Sequence, residues 1–293
     1  MTNLVDSVKN GIIGAVKGTG EVINAVTDTV SSVVGNTLQN TGKVGAAATG
    51  AASDVARGVI QGTAAVGGDL GEAARGMIVG TLRGTKEVGT EALDTVSTSV
   101  NALVSQTASV GGNVAGVARQ AVEGSLQAAA DVGVSATDAV TASVSGAMRA
   151  AGEVGASATD VASGVASGVI RGSTRLGSEL GGAAKGTLLG VLRGTKDVSA
   201  NAFTTVTDTA DVVVRETAEV GGNLALSAKN SVAGAIEGAK ELGLDAAEAA
   251  AAAATGAIRA AGKISTAATT EVTQAVTGVI AGVKVVAKAP LKA

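Results

Sequence analysis

The side chains that most often carry enzyme chemistry are missing from this chain: its 293 residues include no His and no Cys. That removes the commonest general base, the thiolate nucleophile and the usual transition-metal ligands. Ser is abundant, but a Ser–His pair cannot be assembled. Carboxylates remain, among them Asp69, Glu72, Asp131 and Glu153. They are the residue type of acid–base work, yet they are spread along the chain rather than gathered into a pair. Glycine-rich stretches such as GTLRGTKEV, Gly80 to Val88, hold residues found in phosphate cradles. They lack the Walker A spacing and the strand-to-helix setting that such a cradle needs. A net charge of −3, with no Trp or Tyr for base stacking, argues against nucleic acid. The expectation is a non-enzymatic protein with no catalytic residue, cofactor, metal, nucleic-acid partner or small-molecule substrate.

What would position such residues is a repeat. GTLRGTKEV returns 110 residues on as GVLRGTKDV, Gly190 to Val198. It has looser copies at Gly14 to Val22, GAVKGTGEV, and at Gly146 to Val154, GAMRAAGEV. Every 22nd residue from Val22 is a branched aliphatic: Val22, Val44, Val66, Val88, Val110, Val132, Val154, Leu176, Val198, Val220, Leu242, Ile264 and Val286. The next residue is Gly in nine of these thirteen units, so the period is strict enough to define the architecture. The organisation expected is a single repeat region over 1–293, of about thirteen 22-residue units, with a short basic tail at 288–293.

Within a unit the apolar and small residues fall at Val88, Ala92, Val96, Val100, Leu103, Thr107 and Val110. These are helical steps of four and three, not the alternation of a strand. Eleven residues in three turns is about 3.67 per turn, so an apolar arc hardly drifts along a helix. Pro is absent before Pro290, which permits long helix. A β-solenoid with 22-residue coils is the rival, because Val and Thr favour strands. The fold class expected is all-α: a long amphipathic helix, or helices, on a continuous 11/22-residue repeat, with folding into an extended bundle as the variant. No conventional globular core is expected from a chain with one Phe and no Trp or Tyr. The polar arc carries charges at i, i+4, such as Arg83 with Glu87 and Arg193 with Asp197, for which a solvated face is sufficient explanation.

Gly supplies 43 residues, each costing about 1 kcal/mol relative to Ala inside a helix. Something must offset that. Glycines four apart occur at Gly14/Gly18, Gly58/Gly62, Gly80/Gly84, Gly168/Gly172, Gly190/Gly194, Gly234/Gly238 and Gly278/Gly282, the spacing that lets helix backbones approach closely. The candidate helix breaks are near 67–69, 111–113 and 221–223, where Gly-Gly-Asp or Gly-Gly-Asn combines a C-terminal glycine with an N-cap. Because the repeat register runs straight through those triplets, the continuous helix is the preferred form.

The blocks GTKEVGTEALDTVSTSV, Gly84 to Val100, and GTKDVSANAFTTVTDTA, Gly194 to Ala210, resemble the 11-residue amphipathic repeats of perilipin-type lipid-droplet coat proteins. The G-T-K-E/D-V core is similar to synuclein repeats, and late-embryogenesis-abundant proteins use related units. Gly is denser here and Lys sparser and less regular than in synucleins. The resemblance implies helix formation on a lipid surface without catalysis. The function expected is therefore a lipid-surface or membrane-associated helical coat protein, the thirteen-member Val/Leu/Ile column forming its packing or lipid face. The alternative is a self-assembling filament, tube or bundle packed through the glycine faces, and a third reading is a desiccation protectant. Partners would be a lipid or membrane surface, or copies of the same chain. With Asp6 in a broken apolar N-terminus and no long uncharged apolar run, neither a signal peptide nor a transmembrane helix is seen, and an intracellular location peripheral to a membrane or lipid surface is expected.

Overall fold

In a computed structural model the described residues are 4–19, 22–41, 44–88, 92–195 and 202–286. They form thirteen helices: α1 Leu4–Thr19, α2 Val22–Thr41, α3 Val44–Ala65, α4 Leu70–Val88, α5 Ala92–Ser109, α6 Val114–Val132, α7 Ala136–Glu153, α8 Ala158–Arg175, α9 Leu180–Thr195, α10 Ala202–Glu219, α11 Leu224–Leu242, α12 Ala246–Ile264 and α13 Thr266–Ala275. A hairpin of β1 Gly278–Ile280 and β2 Val283–Val285 follows. The fold is all-α apart from that hairpin. It is a bundle of many packed helices and not one continuous helix.

The reason the chain turns is legible at seven junctions among the described residues. Gly67, Gly111, Gly133, Gly155, Gly177, Gly221 and Gly243 all take φ between 64 and 76°, the left-handed conformation that ends a helix at low cost only for glycine. The next residue's N–H donates back to a carbonyl of the last helical turn, as Gly68 does to Thr63 (2.9 Å) and Gly112 to Thr107 (2.9 Å). At six of the seven a capping side chain one residue later starts the next helix: the Oδ1 of Asn113 accepts from the N–H of Gly116 at 2.9 Å, and that of Asn223 from Leu226 at 2.8 Å. The left-handed glycine, one spacer and a cap fit between helices without adding residues to the 22-residue period. Period continuity therefore did not imply helix continuity. The three Gly-Gly-Asx triplets are turns, and four more turns use Gly followed by other residues.

Turns this short reverse the chain, so consecutive helices are antiparallel neighbours. The closest packing is between helices two apart in sequence. Odd-numbered helices α1 to α11 line up in one layer and even-numbered helices α2 to α12 in the other. Between the layers lies a real core, contrary to the expectation of none. It is built of Val, Ala, Leu and Ile, with Ile12, Ile60, Met77, Leu82, Leu103, Leu126, Met148, Ile170, Leu188, Leu192 and Ile236 fully buried. One set of buried residues runs from Val8 to Val191 and a second from Ala166 to Val285, so the core continues along the stack. α13 packs on α11 and α12, and the hairpin extends that cover.

At the hairpin the expected helical column fails. Residues 276–286 are dense in β-branched side chains, which favour strand. Ala281 (φ 47°) and Gly282 (φ 79°) make a two-residue turn with both φ positive, the geometry that matches strand twist. Ile280 and Val285 are buried in the core while Val279 and Val286 face outward.

Glycine at the seams predicts opposite responses to one substitution. A Cβ on Gly168 would lie 2.7 Å from the Arg119 carbonyl oxygen, whereas one on Gly14 would meet nothing within 4 Å. Gly168→Ala should destabilise by about 1–3 kcal/mol through overpacking. Gly14→Ala should stabilise by about 0.5–1 kcal/mol through helix propensity. Urea unfolding of the two variants checks both signs.

Candidate functional surface: glycine seams and a charged ladder

The glycines predicted to allow close approach divide cleanly. Gly58 and Gly62 of α3 press on α1, where a Cβ at Gly58 would lie 2.8 Å from the Val5 oxygen. Gly80 of α4 presses on Thr27 of α2; Gly168 and Gly172 of α8 on α6; Gly190 and Gly194 of α9 on α7; Gly234 and Gly238 of α11 on α9. The partner atom is repeatedly a backbone carbonyl: Thr27 O at 2.6 Å, Thr141 O at 2.8 Å and Ser145 O at 2.6 Å from the added Cβ of Gly80, Gly190 and Gly194. Helix backbones in each layer are thus in direct contact, a separation that any side chain would widen. Gly84 is buried in α4. Gly14 is exposed, and a Cβ there would meet nothing within 4 Å. Gly278 and Gly282 serve the hairpin with φ of 116 and 79°, and are corrected from seam to strand and turn positions. Gly18's surroundings lie outside the described residues. Seam glycines outside the glycine pairs given above include Gly124, Gly146 and Gly256, whose Cβ would also strike a carbonyl two helices back. They stand in the same 22-residue column as Gly80 and Gly190, and that column was the signal for them.

The Val/Leu/Ile column occupies a different place from a packing stripe. Val66, Val132, Val154, Val220 and Leu242 are half-buried, and Val110, Leu176, Ile264 and Val286 are exposed, Val110 at 43% and Val286 at 67%. Apart from Val286, which follows β2, these residues sit at helix C-termini, immediately before the turn. Their constancy reflects the turn's register. The packing stripe consists of interior residues such as Val100, Val122, Val144, Val169 and Ile236. The side chains of Val22, Val44 and Val88, all of Val198, and the tail 288–293 lie outside the described residues.

Charges cross between helices as well as lying on a solvated arc. Along the even layer Arg83 of α4 reaches Asp131 of α6 at 3.6 Å, and Glu123 of α6 accepts from Arg175 of α8 at 2.9 Å. Arg171 of α8 donates to Glu216 at 2.7 Å and Glu219 at 3.0 Å in α10. Arg259 of α12 donates to Asp208 (2.7 Å) and Asp211 (2.8 Å) of α10. In the odd layer Arg193 of α9 makes a bidentate pair with Glu241 of α11, at 2.7 and 2.9 Å. Most of these pairs are half exposed, worth about 0–1 kcal/mol each. The carboxylates singled out above have structural roles: Asp69 caps α4 by accepting from Gly71 (2.7 Å) and Glu72 (3.0 Å), and Glu153 accepts from Asn101 at 3.1 Å. Among the described residues no three carboxylates converge as a metal site would require, and no helix is long and apolar enough to cross a membrane.

Three carboxylates of the described residues are buried, Glu123, Asp211 and Glu216, and Asp211 is the one that faces three cations. Its side chain is only 4% exposed and faces Arg259, Lys263 (3.0 Å) and Arg215 (3.4 Å). Burial pushes its carboxyl up, but hydrogen bonds from Arg259 and Lys263 outweigh that and hold it below the ordinary carboxylate range. A carboxyl lowered by folding stabilises fully above its unfolded value of about 3.9 and loses that contribution as pH falls through the folded value. Stability should therefore fall in acid below about pH 4. Asp211→Asn should cost about 1–3 kcal/mol at neutral pH and flatten part of that acid limb, as read by urea unfolding at stepped pH.

No protein-family model matches the chain, and no curated protein matches it.

Proposed function

We propose that the chain is a non-enzymatic structural protein, a helical scaffold that packs through its own glycine faces and assembles with copies of itself. One observation carries this reading: the apolar side chains that a surface-binding helix would present outward are buried between the chain's own helices, from Val8 at one end to Val272 at the other. The glycine seams support it, since backbone contact at Gly80, Gly168, Gly190 and Gly234 requires a helix partner of fixed register and gives nothing to a fluid surface. Much of what remains outside is small polar and charged residues, several of the charges paired between helices, suited to a protein whose shape is its product.

The lipid-surface reading is kept as the second one because of a specific feature. Large apolar residues protrude at the helix ends and on the hairpin, including Leu226 at 42%, Leu244 at 41% and Val279 at 75% exposure. These could anchor an intact stack, or seed its opening so that the buried apolar arcs turn toward acyl chains. On that reading the chain is a peripheral coat on a membrane or droplet.

Circular dichroism with sedimentation separates the two. The scaffold reading expects high helicity and cooperative melting in lipid-free buffer, unchanged by phosphatidylcholine/phosphatidylglycerol vesicles, with particles larger than one chain. Low helicity in buffer that rises sharply with vesicles would sink it in favour of the coat. Gly194→Leu sharpens the contrast, because a Cβ there would lie 2.5 Å from the Met148 Cβ. It should lower the melting temperature of a packed scaffold, at a cost of about 1–3 kcal/mol or more, and should strengthen vesicle binding by an opened amphipathic helix.

A further inference from the structure

The first two helices sit one helical turn out of register with the rest of the stack. In the later seams a glycine of one helix meets the carbonyl 49 residues earlier: Gly124 on Arg75, Gly168 on Arg119, Gly190 on Thr141. In the first seams the interval is 53: Gly58 on Val5 and Gly80 on Thr27. Side-chain hydrogen bonds carry the same shift. Thr141 Oγ1 donates to the Gly186 carbonyl and Thr207 Oγ1 to that of Ala252, each 45 residues on, whereas Thr27 Oγ1 donates to the Gly76 carbonyl 49 residues on. A difference of four residues is one turn, about 6 Å along the axis.

The junction sequences differ as well. Six later turns use an aliphatic residue, a left-handed Gly, a spacer and a cap, as in Val66-Gly67-Gly68-Asp69 and Val132-Gly133-Val134-Ser135. The same columns read Val22-Ile23-Asn24-Ala25 and Val44-Gly45-Ala46-Ala47. The first lacks both glycine and cap, and the second lacks the cap. The helix runs through both, since α2 already begins at Val22 and α3 at Val44, whereas α4 begins only at Leu70, after its cap. The seam itself accepts either setting. Gly58/Gly62 and Gly76/Gly80 lie one turn apart, as do the residues they press on, Val8/Ile12 and Val26/Val30. Sliding by a turn hands each contact to the next member of the pair.

We infer that the N-terminal hairpin of α1 and α2 is a two-position element: its seat on α3 and α4 has two registers one turn apart, and the turn residues at 23–25 and 45–47 select between them. The selector is local chemistry, and the seam is indifferent to the choice. Installing the missing signals with Ile23→Gly, Ala25→Asp and Ala47→Asp should move α2 by one turn, placing Gly76 over the Thr27 carbonyl. The chain has no Cys, so spin labels at the exposed Asp28 of α2 and Asp160 of α8, each replaced by Cys, report the move cleanly by pulsed electron spin resonance. The expected result is a shift of the main interspin distance by several ångströms, up to the about 6 Å of one turn, with helicity retained. An unchanged distance in a helical variant overturns the inference, and so does loss of cooperative folding, because it would mean that the seam rejects the second register. Hydrogen exchange on the unaltered chain gives an independent check. With α2 starting at Val22, the amide of Val26 lies inside the helix and should exchange slowly. Exchange there as fast as at the first residue of α6, Val114, would remove the register difference on which the inference stands.

Discussion

Direct backbone contact between helices two apart is the constraint on which the rest of this structure depends. A glycine on one helix rests on a carbonyl of another, as Gly168 does on Arg119 and Gly190 on Thr141. The contact brings the axes close enough for Val and Ala methyl groups, short as they are, to fill the space between layers. Larger core residues would find no room there, which fits a chain with a single Phe and neither Trp nor Tyr. The helix-propensity cost of each glycine, about 1 kcal/mol, is offset by the packing it permits along the whole seam and by carbonyl contacts of the Cα–H···O type. Glycines that meet nothing, such as Gly14, carry the cost without that return.

Close seams also place the charges. Side chains flanking a seam on the outer face of a layer stand opposite one another, so Arg171 finds Glu216 and Glu219 and Arg259 finds Asp208 and Asp211. These pairs tie neighbouring helices in a fixed order more than they stabilise them, since most are half exposed. The buried carboxylates Glu123, Asp211 and Glu216 are the exceptions: burial makes their cation partners necessary. Buried hydroxyls complete the polar interior. Ser143 Oγ donates to Ser125 Oγ at 2.6 Å between α7 and α6, and Thr217 Oγ1 to Ser227 Oγ at 3.2 Å between α10 and α11. Others, such as Thr107 and Thr187, donate to the carbonyl one turn earlier in their own helix.

How much of this was legible depends on whether the signal is local. Helix and the glycine columns follow from spacing and from backbone preferences of single residues, and they were readable; the triplets were visible as candidate breaks, but the unbroken register pointed to continuous helix. The role of the aliphatic column was not. Val110 and Leu176 recur every 22 residues as core residues would, yet they mark the last turn before a reversal and stand exposed. Periodicity reports that a position matters without saying whether it packs or turns. The hairpin at 278–285 was missed for a related reason: Gly278, Gly282 and Val286 continue the helical columns, while the β-branched density around them is a weaker signal.

By itself the sequence determined the helical class, the 22-residue unit, the absence of His and Cys chemistry and the close-approach glycines at Gly58, Gly80, Gly168, Gly190 and Gly234. These are properties of residue type and spacing, which need no partner to be defined. Only the tertiary structure decided that the period is a helix plus a turn and not eleven-residue lengths of one helix. The difference rests on whether a glycine adopts positive φ, as Gly67 and Gly133 do, and a glycine can take either conformation. Tertiary structure alone also decided that alternate helices share a layer, that Arg83 faces Asp131 in the next helix of that layer, and that the first hairpin sits one turn aside. Each of these is set by contacts some 45–53 residues apart, beyond the reach of any local preference.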